Sequence, residues 1–231
     1  RLDMLYARDF PYCFDIVGYR IPSLNRLEKI LGNQEGFLID YFKLQGIYEQ
    51  LENMKSLTKE QQRNLASINP YYTKAFEQVK LQIDAKVAES KVKAGKRIRE
   101  VPSVSEKKLF DAIMARYKGK VVMVDLWATW CGPCRGAIAS FEPRKNKFKD
   151  KDVVFVYITN ESSPESKWLE MVAGIEGEHY RLNRKQWDYI CDYFGVDGIP
   201  SYVIVDRDGN ARLRNDLRGS GMLEQELSGM L

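Results

Sequence analysis

Histidine is nearly absent from this 231-residue chain, in which His179 is the single example, and cysteine occurs four times. Structural zinc sites need four ligands in closely spaced pairs, and no second Cys-x-x-Cys pair accompanies the one in this sequence. Four cysteines are also too few to build a scaffold of disulfides at this length. We therefore expect no metal site, and we expect His179 to be a structural or surface residue.

Strong charge and long apolar runs are missing as well. The net charge is +4, and no run of lysine and arginine is interleaved with aromatic residues, so we expect no nucleic-acid partner. No stretch is long enough to span a bilayer. Because the sequence begins at Arg1 and not at Met, we expect a mature or trimmed chain in which a signal peptide or membrane anchor would not be visible.

Helical patterns predominate in the first hundred residues. A short strand is predicted at 15–21, before apolar residues recur every three or four positions from Ser23 to about Lys93. Thr58 and Gln61 have the spacing of a capping box, and Pro70 suits the first turn of a long helix. We predict a mostly helical region over residues 1–100, truncated at its start, which either packs on the rest of the chain or binds a partner.

From residue 101 onwards, strand patterns alternate with helix patterns. A linker is predicted at 94–104, and Ser103 with Glu106 predicts a capping box ahead of a helix. The predicted strands are 120–127, 153–159, 178–182, 201–206 and 211–213, and the predicted helices that follow them include 131–148, 163–174, 185–194 and 217–231. Strands separated by helices and closed by a hairpin predict an α/β fold with a mixed sheet flanked by helices over 101–231.

Two cysteines with two residues between them, Cys131 and Cys134, follow the apolar run that ends at Trp127. A thiolate at the start of a helix feels the positive end of the helix dipole, so its pKa falls and it becomes a nucleophile near neutral pH. We expect Cys131 to be the more exposed, attacking thiol and Cys134 to be the resolving thiol. Gly132 allows close approach of a substrate, and Pro133 fits the start of the helix. The pair predicts a reversible dithiol–disulfide switch.

Asp125 is the carboxylate of this apolar run. Burial would raise its pKa and let it take the proton of Cys134 as that thiol attacks. In the alternative, Asp125 lies on the outside of the sheet edge or pairs with a lysine. Trp127 is predicted to pack in the core, and Trp130 to form part of an exposed apolar surface that receives protein substrates.

The stretch from Val124 to Arg135 resembles the active-site strand and helix of the thioredoxin superfamily. Within it, Ala-Thr-Trp-Cys-Gly-Pro-Cys-Arg is closest to the TlpA-like branch, the anchored extracytoplasmic thiol-disulfide oxidoreductases. A second stretch, 193–206 with its Gly-Ile-Pro-Ser, resembles the loop of that family in which the proline has a cis peptide bond. The resemblance covers about residues 101–231.

This resemblance implies a thioredoxin-like catalytic domain that needs no cofactor beyond its redox-active cysteine pair. Residues expected to contact the substrate are Trp130, Gly132, Pro133, Ile199 and Pro200, the last two beside an extended substrate strand. The implied partners are protein disulfides or dithiols and an upstream electron donor. The implied location is extracytoplasmic, in a bacterial periplasm or on a membrane anchor, and Cys-Gly-Pro-Cys resembles the reducing members.

Two positions depart from the family pattern. The proline that usually stands five residues after the second cysteine is replaced by Ala139, with Pro143 further along, and the charged partner of the buried acid is not identifiable from the sequence. Cys13 and Cys191 are expected to be free thiols, although a bond between them is not excluded by their spacing.

Two other functions fit parts of the pattern. A peroxidase on the same fold uses a Thr-x-x-Cys arrangement, and Thr129 stands at the wrong distance from Cys131 for that chemistry. A binding protein would recruit a partner through the helical region and use the thioredoxin-like domain as a scaffold. The intact cysteine pair, together with Asp125 and Ile199-Pro200, argues against this second function.

Overall fold

The computed structural model describes residues 28–29, 32, 35–52, 57–218 and 221–231. The predicted strand at 15–21, Cys13 and most of the predicted helix that starts at Ser23 lie outside the described residues. The chain divides into two compact units, Arg1–Asp84 and Ala85–Leu231. The boundary predicted at residue 100 stays a prediction.

Most of the described residues of the first unit are helical, as the sequence predicts. Its helices are α1, Phe37–Glu52, α2, Lys59–Ser67, and the start of α3, Pro70–Ala94, which continues into the second unit. The capping box at α2 is confirmed, because Thr58 Oγ1 accepts a hydrogen bond from the Gln61 N–H at 3.1 Å and the Gln61 side chain accepts one from the Thr58 N–H at 3.0 Å. A buried apolar cluster holds the helices of this unit together, formed by Leu44, Ile47, Ile68 and Phe76.

In the second unit, strands alternate with helices. The helices are α4, Glu106–Met114, α5, Gly132–Phe141, α6, Glu165–Val172, α7, Arg184–Phe194, and α8, Met222–Gly229. The strands are β1, Val121–Leu126, β2, Val153–Asn160, β3, Glu178–Leu182, β4, Ser201–Val205, and β5, Ala211–Leu213. Short 3-10 segments occur at Ala115–Tyr117, Glu142–Phe148 and Asn215–Leu217. No helix in the described part of the chain is long and apolar enough to cross a membrane.

The described strands form one mixed sheet in the order β3-β2-β1-β4-β5. β1 is parallel to β2, and β2 is parallel to β3, whereas β4 runs antiparallel to both β1 and β5. β1 lies at the centre and every one of its residues is buried. This position explains its nearly continuous apolar sequence, since a central strand covered on both faces has no solvent side. The predicted α/β fold is confirmed.

Each face of the sheet has its own helices, because successive side chains of a strand point to opposite faces. One face, called here the α4 face, packs against α4 and α7; it contains Val122, Val124, Leu126, Val156, Ile158, Tyr180, Leu182, Val203 and Val205. The opposite face, called the α5 face, lies under α5 and the 3-10 segment that follows it. There, Phe155 contacts the rings of Phe141 and Phe148 at centroid distances of 5.8 and 5.9 Å.

Three local predictions differ from the structure. The capping box of Ser103 with Glu106 is wrong, because α4 begins at Glu106 and its N-cap is Ser105. The last helix begins at Met222 and not at residue 217, because Leu217 ends a 3-10 segment and Arg218 after it has an extended backbone. The segment 94–104 is no free linker, because the Arg99 N–H donates to His179 O at 2.9 Å and the His179 N–H donates to Arg97 O at 2.8 Å. These bonds cover the outer edge of β3.

Candidate active site

The two cysteines of the motif lie where the loop after β1 enters α5. Cys131 is the N-cap of α5, and a disulfide joins it to Cys134 in the first turn. The Cys131 Sγ accepts a hydrogen bond from the Cys134 N–H at 3.1 Å. Cys131 keeps 4% of its surface exposed and Cys134 none, while Gly132 and Pro133 between them are exposed. A backbone N–H aimed at this sulfur at a helix N-terminus favours negative charge on it once the disulfide is reduced.

The loop before β4 lies against the same sulfur. The Ile199–Pro200 peptide bond is cis, and the Ile199 carbonyl oxygen is 3.8 Å from the Cys131 Sγ. Within the described residues, neither the N–H nor the C=O of Ile199 forms a hydrogen bond with another backbone group. The fold therefore brings together the two motifs, which are separated by 68 residues in sequence, and leaves a strand-like edge beside the disulfide.

The two tryptophans differ as the sequence predicts. Trp127 is fully buried, whereas Trp130 is 62% exposed. The indole N–H of Trp130 donates to Ser162 Oγ at 2.9 Å, and the Thr129 N–H donates to Ser163 Oγ at 3.0 Å. The segment after β2 thus fixes the loop that presents Trp130 next to the cysteines.

Asp125 lies on the α5 face in the centre of the sheet, which excludes the sheet-edge alternative. It is 1% exposed, and it pairs in register with Tyr157 of β2 and Tyr202 of β4. Its Oδ1 accepts no hydrogen bond from the residues that the structure describes. Burial raises the pKa of Asp125 to about 8, against the opposing effect of the nearby Lys145 cation. The carboxyl is therefore protonated at neutral pH and can exchange a proton close to it.

Lys145 is a buried cation near Asp125 that the sequence reasoning missed. Its side chain is buried, and its Nζ donates to Glu142 Oε2 at 2.6 Å and to Glu176 O at 2.5 Å. The same Nζ lies 4.7 Å from the ring centroid of Tyr157, the register neighbour of Asp125. Burial lowers the pKa of Lys145, while Glu142, Glu176 and Asp125 oppose that effect. This lysine supplies the charged partner of the buried acid that the sequence left unidentified.

A signal for Lys145 was present in the sequence. Ile138, Phe141 and Phe148 mark the buried stripe of α5 and the 3-10 segment, and Lys145 occupies the stripe position between the last two. A lysine at an apolar position indicates a buried cation with an acidic partner, because an unpaired charge there would be costly. Pro143 lies in the first turn of the 3-10 segment, so the proline of this chain marks the end of α5 instead of a bend within it.

His179 and Cys191 take no part in the disulfide site. His179 is fully buried on β3, stacks on Tyr157 at a centroid distance of 5.0 Å, and shares a 3.0 Å hydrogen bond between its Nε2 and Ile175 O. Burial lowers the pKa of His179 to about 4. Cys191 is a free, half-buried thiol on α7, and its pKa is raised to about 11, first by burial and then by Asp188 and Asp192. In the described residues, no group of three or more histidine, cysteine and acidic side chains is placed to hold a metal ion.

Residues 119–211 match a family model described as thioredoxin-like. The thioredoxin-like protein YneN of Bacillus subtilis (strain 168) is 39% identical over 92 residues, which are 40% of this chain and 54% of that protein. The thiol-disulfide oxidoreductase ResA of Bacillus thuringiensis (strain Al Hakam) is 24% identical over 92 residues, 40% of this chain and 52% of that protein.

Among solved structures, a thiol:disulfide interchange protein from Chlorobium tepidum TLS is similar, with a TM-score of 0.44 and 24% identity, covering 51% of this chain and 83% of that one. The chain spans less than two thirds of the length of the curated relatives it matches.

Proposed function

We propose that this chain, which carries a domain of the thioredoxin-like family over residues 119–211, is a thiol-disulfide oxidoreductase of the TlpA-like type that exchanges disulfides with protein substrates. One observation carries the proposal. The Cys131 sulfur lies at the N-terminus of α5, accepts a backbone N–H there, and faces the Ile199–Pro200 loop. The nucleophilic sulfur thus lies next to a backbone N–H that stabilises its thiolate and to a loop that can pair with the substrate backbone.

In the first step, the Cys131 thiolate attacks one sulfur of a substrate disulfide. A bond forms between Cys131 and that sulfur while the substrate S–S bond breaks, and the second substrate sulfur leaves as a thiolate that takes a proton from water. In the reduced protein, the helix dipole and the Cys134 N–H favour the thiolate form of Cys131, which is the form that attacks.

In the second step, Cys134 resolves the mixed disulfide. In the fraction of molecules in which Asp125 is ionised, about one tenth at pH 7, the Cys134 thiol passes its proton to this carboxylate, directly or through water. The resulting thiolate attacks the Cys131 sulfur. The Cys131–Cys134 bond forms as the bond to the substrate breaks, and the substrate sulfur that was bound to Cys131 leaves as a thiolate that takes the proton held by Asp125, directly or through water. Two electrons have then passed from the protein to the substrate, which leaves as a dithiol. With a pKa of about 8, Asp125 can accept and return this proton near neutral pH.

The substrate is an extended polypeptide segment next to its disulfide. The unpaired backbone groups of Ile199 would add this segment as a strand, while the exposed Trp130 and Pro133 would contact its side chains. Gly132 and Pro200 leave room for a close approach to the Cys131 sulfur.

We assign the reducing direction and an extracytoplasmic location, since the Cys-Gly-Pro-Cys sequence and its flanks resemble the TlpA-like proteins. Each turnover leaves the cysteine pair oxidised, so a dithiol electron donor must reduce it again. No other cofactor is needed for this exchange.

The test measures reduction of insulin disulfides by the pre-reduced protein. Cys131→Ser should abolish the reaction, whereas Cys134→Ala should stop after one attack and stay covalently bound to the substrate. Cys191→Ser is the matched control, because this free thiol lies outside the motif, and it should keep the full rate. An unchanged rate in Cys131→Ser would refute the proposal.

A further inference from the structure

A cleft of about 530 Å³ opens beside the disulfide, and the steps described above place no group of the substrate in it. Pro133, between the two cysteines, and Pro200, in the loop that faces them, lie along it. Its α5 wall is formed by the small residues Gly136, Ala137 and Ser140, with Phe141 at its end. Leu217 and Leu223 give it an apolar lining on the other side. The volume is large enough for one or two side chains of a polypeptide bound at the disulfide.

Arg218 gives this cleft an uncompensated positive charge. Its Nη2 donates to Gly198 O at 3.0 Å and to Ser201 Oγ at 2.6 Å, and both acceptors are neutral. The side chain is exposed, and no carboxylate of the described residues forms an ion pair with it. The other arginine of the cleft, Arg144, is paired with Glu224 at 3.0 Å, a carboxylate that it shares with Lys147. Of the two arginines that line the cleft, Arg218 is the one that has no carboxylate partner among the described residues.

The position of Arg218 ties this charge to the substrate edge. Gly198 and Ser201 flank the two loop residues, Ile199 and Pro200, that face the Cys131 sulfur. A polypeptide strand paired with Ile199 would run past the guanidinium within one or two residues of its disulfide. An acidic side chain at that point would meet an unpaired cation, while a lysine would be repelled.

We propose that the cleft receives the residues next to the attacked cysteine of the substrate, and that Arg218 selects polypeptide disulfides with an acidic residue there. This inference rests on the proposed function, since it names the substrate class of the same site. An exposed ion pair contributes little to binding by itself. Its larger effect is on the rate of productive encounter, which rises with opposite charge and falls with salt.

The experiment compares three disulfide-bridged peptides that differ in one residue beside the cysteine, either Glu, Gln or Lys. Hydroxyethyl disulfide is the reference, since it is uncharged and too small to fill the cleft. We expect kcat/KM in the order Glu, Gln, Lys, with Glu over Lys by roughly 3- to 10-fold at low salt. In about 0.5 M sodium chloride the ratio should approach one, because salt screens an exposed pair.

Three variants assign the preference to its residue. Arg218→Gln should bring the Glu-to-Lys ratio close to one and leave the rate with hydroxyethyl disulfide unchanged, whereas Arg218→Lys should keep the preference. Arg207→Gln is the matched control. Arg207 is an exposed arginine just after β4, at the end of the sheet away from the cysteines, where its Nη2 donates to Leu231 O at 3.2 Å. It should keep the full ratio.

The outcomes separate this inference from the proposed function. Equal rates with all three peptides, with hydroxyethyl disulfide still reduced, would overturn the substrate class alone. Failure to reduce any disulfide would overturn the proposed function. If Arg218→Gln lost its rate with hydroxyethyl disulfide as well, Arg218 would be a support of the loop and not a selector, and the inference would be wrong.

Discussion

The two faces of the sheet bury polar groups in different ways. On the α4 face, the hydroxyl groups of Tyr117 and Tyr180 bond to each other at 2.8 Å, and the rest of the cluster is apolar. On the α5 face, Asp125 Oδ1 and His179 Nδ1 are buried without a hydrogen-bond partner among the described residues. Burial then acts on the protonation state, since it disfavours the charged form of each group. The α4 face thus buries its hydroxyl groups as a bonded pair, whereas the α5 face buries an acid and a histidine whose charged forms are disfavoured.

The same comparison predicts how stability depends on pH. Asp125 has a pKa of about 8 in the folded protein and 3.8 ordinarily, so the unfolded chain releases this proton first and stability falls as pH rises between those values. His179 has a pKa of about 4 when folded and 6.5 ordinarily, so its contribution is lost as pH falls between those values. From about pH 4 to 6.5 the two slopes cancel. Above that window only Asp125 remains, and stability falls until about pH 8.

The largest effect is expected from Asp125→Asn. The rate at which Cys134 resolves the mixed disulfide should fall roughly 100-fold, because the proton acceptor is gone. Between acid and about pH 9 the wild type should lose about 6 kcal/mol in free energy of unfolding through Asp125, because its pKa shifts by about four units of about 1.4 kcal/mol each, and the variant should escape this loss. Denaturant titrations across pH measure the stability, and acid-quenched trapping measures the resolution rate.

The exposed Asp152, just before β2, provides the matched control for Asp125. Asp152→Asn should leave both the pH profile and the resolution rate as they are. A wild-type protein whose stability does not fall between about pH 6.5 and 8 would contradict the assignment of Asp125 as a protonated buried acid.

On the opposite face, Leu109→Ala should affect stability without affecting chemistry. Leu109 is fully buried on α4 within the apolar cluster, and its truncation should cost about 2–5 kcal/mol at every pH. Exchange per folded molecule should keep the wild-type rate. Lys107→Ala, on the exposed side of the same helix, should change the free energy of unfolding by less than about 0.5 kcal/mol. A pH-dependent loss in Leu109→Ala would mean that the two faces are coupled.

His179→Phe should remove the loss of stability that His179 causes as pH falls from about 6.5 to 4. The ring can keep its stack on Tyr157, but the group that must stay neutral in the folded state is absent. Its stability should then fall continuously from about pH 4 to 8, with the region of cancelled slopes gone. In the wild type, His179 changes the free energy of unfolding by about 3 kcal/mol between about pH 4 and 6.5. An unchanged profile would show that His179 titrates alike in the folded and unfolded chain.

Local patterns carried much of what could be predicted. The cysteine pair at the start of α5, the burial of Trp127 and the Thr58 cap each depend on residues within a few positions of one another. Pairings across the chain could not be predicted, because periodicity does not show which segments meet. The bonds of Arg97 and Arg99 to His179, and those of Arg218 to the loop at Gly198, are of this kind. Lys145 lies between these two cases. Its position in the buried stripe could be seen in the sequence, but its proximity to Asp125 could not.

Lys145→Met tests the smallest effect, which is the influence of the buried cation on the acid. Methionine fills much of the space of the lysine stem, and Glu142 keeps its hydrogen bond from the Glu176 N–H at 2.8 Å. Without the cation, the pKa of Asp125 should rise above about 8, because Lys145 is the group that lowers it. Carbon-13 NMR of the Asp125 carboxyl would follow this titration directly. The pH dependence of the resolution step should move in the same alkaline direction.

The matched control for Lys145 is Lys147→Met, on the same 3-10 segment. Lys147 is an exposed lysine paired with Glu224. Water and salt screen the electrostatic interaction of such a charge with distant groups. The titration of Asp125 should therefore stay where it is in that variant. If both lysine variants moved it equally, the effect would come from net charge and not from a cation buried beside the acid. If neither moved it, burial by the α5 face would be sufficient to set the protonation of Asp125.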